Sequence, residues 1–219
     1  MVKIDLITGF LGSGKTTFLK KYAKRLMEQG QNIGILENDF GAVNVDMMLL
    51  QELEGEQCEL EMISGGCDPE THRRRFRTKL IAMGMCGYDR VLVEPSGIYD
   101  MDEFFDVLHE EPLDRWYEIG NVIAVVDARL EDALSPEAEY LLASQAANAG
   151  CMILSKCDTA TEEQRRNTIA HLKRSLTALG CKQRADQKVL CEGAEPLPDQ
   201  DFATILSCGY HLSLIHISE

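Results

Sequence analysis

No stretch of this chain approaches the roughly 18 consecutive apolar residues that a membrane-spanning helix requires. The amino terminus, Met1-Val2-Lys3-Ile4-Asp5, has neither a long apolar segment nor a small-residue cleavage site, so it does not read as a signal peptide. Basic residues are scarce. Lysine and arginine total 22 against 36 aspartates and glutamates, which leaves a net charge of −14. A non-specific nucleic-acid binder needs a basic footprint, and so does a protein that docks on anionic lipid; the deficit argues against both. Repeats, low-complexity tracts and an obvious interdomain linker are also missing.

What is present fits an ordinary globular chain. With 219 residues, 45% hydrophobic and 26% charged, the length suits one domain with a single core. The eight cysteines, in a chain whose start does not read as an export signal, are expected to stay reduced in the cytoplasm. Short apolar runs alternate with amphipathic stretches, the pattern of an α/β fold with a mostly parallel sheet flanked by helices. Strands are expected near Lys3–Thr8, Asn32–Leu36, Gln57–Ile63, Arg90–Glu94, Asn121–Val126, Cys151–Leu154 and Lys188–Cys191. Helices fit Lys15–Gln29, Pro69–Met83, Asp102–His109, Pro136–Ala147 and Glu162–Leu179. Ser135-Pro136 reads as an N-cap followed by a first-turn proline, and Thr161 to Gln164 has capping-box spacing. Gly30 and Gly180 fall where C-terminal caps belong.

Gly9-Phe10-Leu11-Gly12-Ser13-Gly14-Lys15-Thr16-Thr17 satisfies G-x-x-x-x-G-K-[ST], between an apolar run and a helical segment. Glycines at Gly9, Gly12 and Gly14 let backbone N–H groups turn inward around phosphate oxygens, and the helix start adds partial positive charge. Lys15 would reach the β- and γ-phosphates, and the Thr16 hydroxyl would complete a Mg2+ shell. A second signal follows the run Cys151–Leu154, in Ser155-Lys156-Cys157-Asp158. Ligands of such sheets bind at the carboxyl ends of strands, so this tetrapeptide faces the same rim as the loop. A carboxylate at Asp158 can accept from guanine N1–H and its exocyclic amine, whereas adenine offers neither donor there. The Lys156 stem can lie over the base plane.

These ordered motifs resemble those of CobW-type GTPases, relatives of the metal-delivery GTPases that serve urease and hydrogenase maturation. Gly9–Thr17 matches the family's phosphate loop, and Glu37-Asn38-Asp39-Phe40-Gly41 is similar to its first switch. Glu94-Pro95-Ser96-Gly97 is similar to its E-x-x-G element. Ser155–Asp158 resembles its guanine motif, with Ser155 where asparagine or threonine is commoner. The resemblance spans about the first 190 residues and implies a three-layer P-loop domain that binds GTP and GDP and hydrolyses GTP with Mg2+. It implies that Glu94 holds Mg2+, that the Gly97 amide senses the γ-phosphate, and that Glu37 and Asp39 lie near the metal and the attacking water. Loop solvation and helix capping remain the alternative for Glu37 and Asp39. A non-catalytic GTP-responsive adaptor and an ATP-using enzyme of the same fold remain the alternative functions.

The family carries C-x-C-C after its third strand as a site for zinc or another transition metal. Here that stretch is Gly65-Gly66-Cys67-Asp68-Pro69-Glu70-Thr71-His72, with only the first cysteine kept. Asp68-Pro69 reads as an N-cap and first helical residue, so Cys67 and His72 occupy positions whose side chains characteristically meet. A cysteine beside a helix start tends toward the thiolate that binds metal. Simple packing of a helix start is the other reading. Between Arg25 and Arg73 there is no lysine or arginine but there are eleven acidic residues, either a solvated face or a region that attracts cations. Cys58 alternates with Leu60 and Met62 and should face the core, while Cys86, Cys151, Cys157 and Cys191 read as packing residues beside apolar runs. The cluster Arg73-Arg74-Arg75-Phe76-Arg77 is expected to turn most of its arginines outward, as a solvated face or as a docking site for a metalloprotein client or a second copy in a homodimer. The domain is expected over residues 1–211. The tail, 212–219, resembles translated sequencing adapter, with a short native strand as the alternative, and no counterpart of the family's further C-terminal domain is expected among these residues.

Overall fold

The structure is a computed structural model that describes residues 1–39, 45–64, 68–96, 101–131, 133–181 and 188–212. Ile4 and Leu6 face one apolar cluster and Ile7 faces another, all fully buried, so the first strand, β1 (Val2–Thr8), lies between two cores. The other strands are β2 (Ile33–Asp39), β3 (Cys58–Ser64), β4 (Arg90–Pro95), β5 (Tyr117–Asp127), β6 (Cys151–Ser155) and β7 (Val189–Cys191). They form one seven-stranded sheet in the order β3-β2-β4-β1-β5-β6-β7, and every pairing is parallel. The chain runs from β1 outward to β2 and β3, returns to β4, then crosses β1 to fill the other side. That reversal puts the switch point, where such sheets bind ligands, at the carboxyl end of β1.

Helices cover both faces, as a parallel sheet requires. On one side lie α1 (Lys15–Glu28), the short α2 (Val45–Leu50) and α8 (Asp199–Leu206), which contribute Phe18, Leu19, Tyr22, Leu50, Phe202 and Ile205 to one core. On the other lie α3 (Pro69–Gly84), α4 (Met101–Leu108), α5 (Leu113–Trp116), α6 (Pro136–Asn148) and α7 (Glu162–Ala178). The expected caps form. The Asp68 carboxylate accepts from the Thr71 N–H at 2.8 Å, the Ser135 hydroxyl from the Ala138 N–H at 3.2 Å, and Thr161 and Gln164 complete a reciprocal capping box. Gly30 and Gly180 both adopt φ 78°, the left-handed conformation of helix ends.

All seven expected strands and five expected helices are present, while α2, α5 and α8 were not foreseen. Each has at most eight residues, too few for a helical period to stand out. The arginine cluster turns mostly outward as expected, and two of its members make contacts there. Phe76 is fully buried as expected, while Arg73 pairs with Glu110 at 2.7 Å and Arg77 with the same carboxylate at 2.9 Å. Two of the four arginines therefore tie α3 to the segment after α4.

Strand β5 begins at Tyr117, four residues before the expected start, and shifts register against β1 between Ile4 and Leu6. The cause is Asp5, a carboxylate with no exposed surface in the middle of β1. Arg90 donates to both of its oxygens, at 2.7 and 2.6 Å, the Tyr22 hydroxyl to one at 2.8 Å and the Asn121 N–H to the other at 2.8 Å. Gly120 passes so close that a Cβ there would lie 2.3 Å from the Asp5 oxygen. Burial first, and then the Asp5 charge, hold the Tyr22 hydroxyl well above its usual pKa, so it stays a donor. Breaking a buried pair strands the remaining charge at a cost of about 3–5 kcal/mol. Arg90→Met is expected to lower unfolding stability by about that amount in denaturant titration, and Asp5→Asn in the same chain to recover part of it. An Arg90→Met variant as stable as the parent would show the pair to be dispensable.

Candidate functional site

The phosphate loop leaves β1 after Thr8 and enters α1 at Lys15. Its three glycines all take positive φ, 147° at Gly9, 73° at Gly12 and 92° at Gly14. Two of them are also fixed by space. A Cβ on Gly9 would lie 2.2 Å from the Val125 carbonyl oxygen of β5, and one on Gly14 would press on the Ser155 side chain at 3.2 Å. Gly12 faces open space, so only its conformation demands glycine. Lys15 is buried and its ammonium donates to the Phe10 carbonyl at 3.2 Å, inside the loop it serves. Ser13 is buried, and Thr17 is exposed on the first turn of α1.

Thr16 starts the carboxylate side of the site. Its hydroxyl donates to the Glu94 carboxylate at 2.8 Å, and both residues are more than nine-tenths buried. Glu37, 2% exposed, is the register partner of Glu94 across the β2–β4 pairing. Two acids and a hydroxyl from three separate segments thus converge beside the loop, an all-oxygen set of the kind hard divalent cations take. Asp39 closes β2 two residues on, with its side chain outside the described residues, as is Gly97.

On the far side, the Ser155–Asp158 segment is fastened to the same loop. The Ser155 hydroxyl donates to the Ser13 carbonyl, and the Lys156 ammonium donates to the Gly12 carbonyl at 2.7 Å and to Asp127 at 2.7 Å. Lys156 reaches both from a left-handed backbone, φ 57°. Asp158 stands exposed at the rim. Facing it is a wall that the sequence did not reveal, the loop that follows β7. A Cβ on Gly193 would touch the Asp158 Cβ at 3.4 Å, and the Cys157 N–H donates to the Glu192 carbonyl at 3.0 Å. Lys21 of α1 holds this loop through the Glu192 carboxylate, the Gly193 carbonyl and, at 3.1 Å, the Glu195 carbonyl. Neither Lys21 nor Glu192–Glu195 carries a local pattern that would have marked it.

The family model described as CobW/HypB/UreG, nucleotide-binding domain, matches residues 3–182. The chain belongs to this family. Among curated relatives, the zinc chaperone YjiA of Escherichia coli is 28% identical over 172 residues, 75% of this chain and 52% of that protein. The zinc-regulated GTPase metalloprotein activator 1 of Schizosaccharomyces pombe is 24% identical over 168 residues, 74% of this chain and 40% of that protein. The chain therefore spans about half the length, or less, of these relatives. The structure of HypB from Helicobacter pylori in complex with nickel covers 92% of this chain and 82% of its own, with a TM-score of 0.55 and 16% identity. That likeness is one of fold, a P-loop nucleoside-triphosphatase domain.

In this CobW-family chain the expected transition-metal residues are only half visible, because Cys67 lies outside the described residues. His72 sits at the fourth position of α3, as the proline and cap predicted, and is 3% exposed. Its Nδ1 lies 2.9 Å from the Glu103 carboxylate of α4, a partner the sequence did not suggest. Among the described residues, no three of His, Cys, Asp and Glu converge to hold a metal ion. Residues 213–219, most of the expected tail, also lie outside the described residues, and no described helix is long and apolar enough to cross a membrane.

The Lys156–Asp127 contact yields a pH expectation. Burial alone would raise the Asp127 pKa, but hydrogen bonds from Arg129 and then Lys156 outweigh it and hold the carboxyl at about 2. An unfolded aspartate titrates near about 3.9, so the contact contributes its full stability above that pH. The contribution fades as pH falls from about 4 to about 2. Acid unfolding of the parent and of Asp127→Asn should therefore differ near neutrality and converge below about pH 2. A gap that stays constant across that range would overturn the assignment.

Proposed function

We propose that this chain is a cytoplasmic GTP-binding domain that hydrolyses GTP with Mg2+ and couples that cycle to the handling of a transition metal. The observation that carries the reading is the joint fastening of one loop. Thr16 meets Glu94 on its phosphate side, while Ser155 and Lys156 grip its Ser13 and Gly12 carbonyls on its base side. Phosphoryl transfer to water asks a protein for positioning and charge neutralisation more than covalent chemistry. Lys15 supplies the neutralising charge, and the glycine-lined backbone with Ser13 and Thr17 cradles the phosphates. Thr16 and Glu94 are the residues that would hold Mg2+, which supplies Lewis-acid neutralisation of the phosphate oxygens. Glu37 and Asp39 are assigned to orient the attacking water, and the Gly97 amide, two residues beyond β4 in the sequence, to sense the γ-phosphate.

Base choice rests on Asp158, exposed at the rim and walled by Gly193. Guanine would satisfy its carboxylate with two donors; adenine would leave it without either. Purified protein is expected to prefer GTP and GDP over ATP in competition, and Asp158→Ala to lose at least about tenfold of that preference. Lys15→Ala should slow single-turnover phosphate release by about a hundredfold or more. Equal affinity for ATP would favour an ATP-using enzyme. Guanine binding without any phosphate release would favour an adaptor signalled by occupancy alone.

The metal cargo is assigned to Cys67 and His72, with switch carboxylates or a partner chain completing the set. Curated relatives are named zinc chaperones, and ligating histidines commonly give their other ring N–H to a carboxylate, the relation in which Glu103 stands to His72. Metal held more tightly by the GTP form strengthens GTP binding by the same factor. The metal would pass to a metalloprotein client, with a homodimer as the other assembly that the arginine cluster suits. Zinc titration with GDP and with a GTP analogue should show weaker binding in Cys67→Ala/His72→Ala, and a loss of about tenfold in Glu103→Gln. If parent and double variant bind zinc equally, the protein is a GTPase without this site.

A further inference from the structure

Two thiols meet directly behind the base-recognition segment. Cys157 is the third residue of Ser155–Asp158, and its thiol donates to the Leu154 carbonyl at 3.2 Å. Leu154 is the register partner of Cys191, the last residue of β7. The next residue, Glu192, donates its N–H to the same Leu154 carbonyl at 2.7 Å and accepts from the Cys157 N–H at 3.0 Å. The side chains also share a face. Leu154 belongs to the core beneath α6 and α7, and Cys157 and Val189 pack against it, whereas Leu190 joins the opposite core. Strand alternation returns Cys191 to the side of Val189 and Cys157. Cys191 is exposed, against the expectation that it would pack, and Cys157 is half-buried.

We propose that Cys157 and Cys191 form a reversible dithiol–disulfide site, oxidised by low-molecular-weight disulfides, whose closure displaces Asp158 from the guanine base. The coupling half rests on the guanine reading above; the disulfide does not. The exposed Cys191 is the entry point. Its thiolate attacks one sulfur of a small disulfide, forms a mixed disulfide and releases one thiol, which takes up a proton. The Cys157 sulfur, after giving up its proton to solvent, then attacks the Cys191 sulfur and expels the second thiol. The protein dithiol loses two electrons and two protons, and the small disulfide becomes two thiols.

Burial pushes the Cys157 thiol up to about 12, with the adjoining Cys191 thiol adding to the rise. Cys157 is therefore the resolving partner and Cys191 the first to react. Closure needs a narrow geometry, with Cβ atoms about 3.5–4.5 Å apart and a dihedral near a right angle. To reach it the Cys157 sulfur must leave the Leu154 carbonyl. Its chain neighbours are Lys156, already in a left-handed conformation, and Asp158, so the adjustment passes to the residues that would read the base. A second adjoining pair, Cys151 and Cys208, differs in access, because Cys151 is fully buried.

The full chain, treated with oxidised glutathione and then alkylated, is expected to take up two fewer alkyl groups than the reduced chain, with a peptide map linking Cys157 to Cys191. Affinity for a fluorescent GTP analogue should fall at least about tenfold, equivalent to ~1.4 kcal/mol, and return with dithiothreitol. Cys191→Ser should bind like the parent when reduced and lose all sensitivity to the disulfide. No 157–191 link in the folded protein, a link through other cysteines, or a link with unchanged affinity would each overturn the proposal. A reduced protein that binds no guanine nucleotide would instead end the functional reading, and the peptide map would still judge the disulfide.

Discussion

The organisation of the site depends on how closely the phosphate loop lies against the sheet. There is no room for a side chain at Gly9, because the Val125 carbonyl of β5 occupies that space, and little at Gly14, because Ser155 of β6 does. Contact at that range makes one loop the meeting point of three strands. β1 delivers it, β5 supports it, and the end of β6 grips its carbonyls through Ser155 and Lys156. A loop pinned on both sides is held in place without help from a ligand, which lowers the ordering cost of binding. The same contacts bind the phosphate and base sides into one unit, so a shift in either is felt by the other.

The support beneath the loop includes a buried polar set. Asp5 in the middle of β1, Arg90 at the start of β4, Asn121 within β5 and Tyr22 of α1 form a closed hydrogen-bonded set among mostly apolar neighbours. Such sets contribute little net stability against well-packed hydrophobic replacements, but they fix register because no other alignment satisfies them. Here the set coincides with the register shift between β1 and β5. It therefore helps to decide how far β5 slides along β1, and hence where Val125 and Asp127 meet the phosphate loop.

The sequence was most informative where local chemistry is self-contained. Glycines at fixed offsets, a proline after Ser135, and a threonine three residues before Gln164 act within one turn, so their structural meaning travels with the string. Asp5 lay in plain view as one acid in an apolar run, yet its partners are 17, 85 and 116 residues away and leave no local trace. The wall after β7 was hidden for the same reason, because Lys21 and Glu192 are 171 residues apart. Glu103, which faces His72, looked like any acid in the first turn of a helix. What escaped was long-range polar pairing, not the pattern of apolar burial.

The acid-rich, base-free stretch between Arg25 and Arg73 resolves into two groups with different physics. Toward its periphery several of the acids are answered by Lys20, Lys24, Lys79 and Tyr88. Glu52 meets Lys20 at 2.9 Å and Lys24 at 2.6 Å, Glu61 meets Lys79 at 2.7 Å, and Glu59 accepts from the Tyr88 hydroxyl. These are exposed or half-buried contacts of modest worth, and they account for the stretch as a solvated, locally balanced surface. Glu37 differs from them in place and burial. It is one strand from Glu94, with Thr16 hydrogen-bonded to that neighbour, at the rim where the phosphate loop ends. Two buried carboxylates side by side raise each other's cost of ionisation unless positive charge is shared between them. Of the acids named in this stretch, Glu37 alone is buried, so it is the position there where attraction for a cation would be strongest.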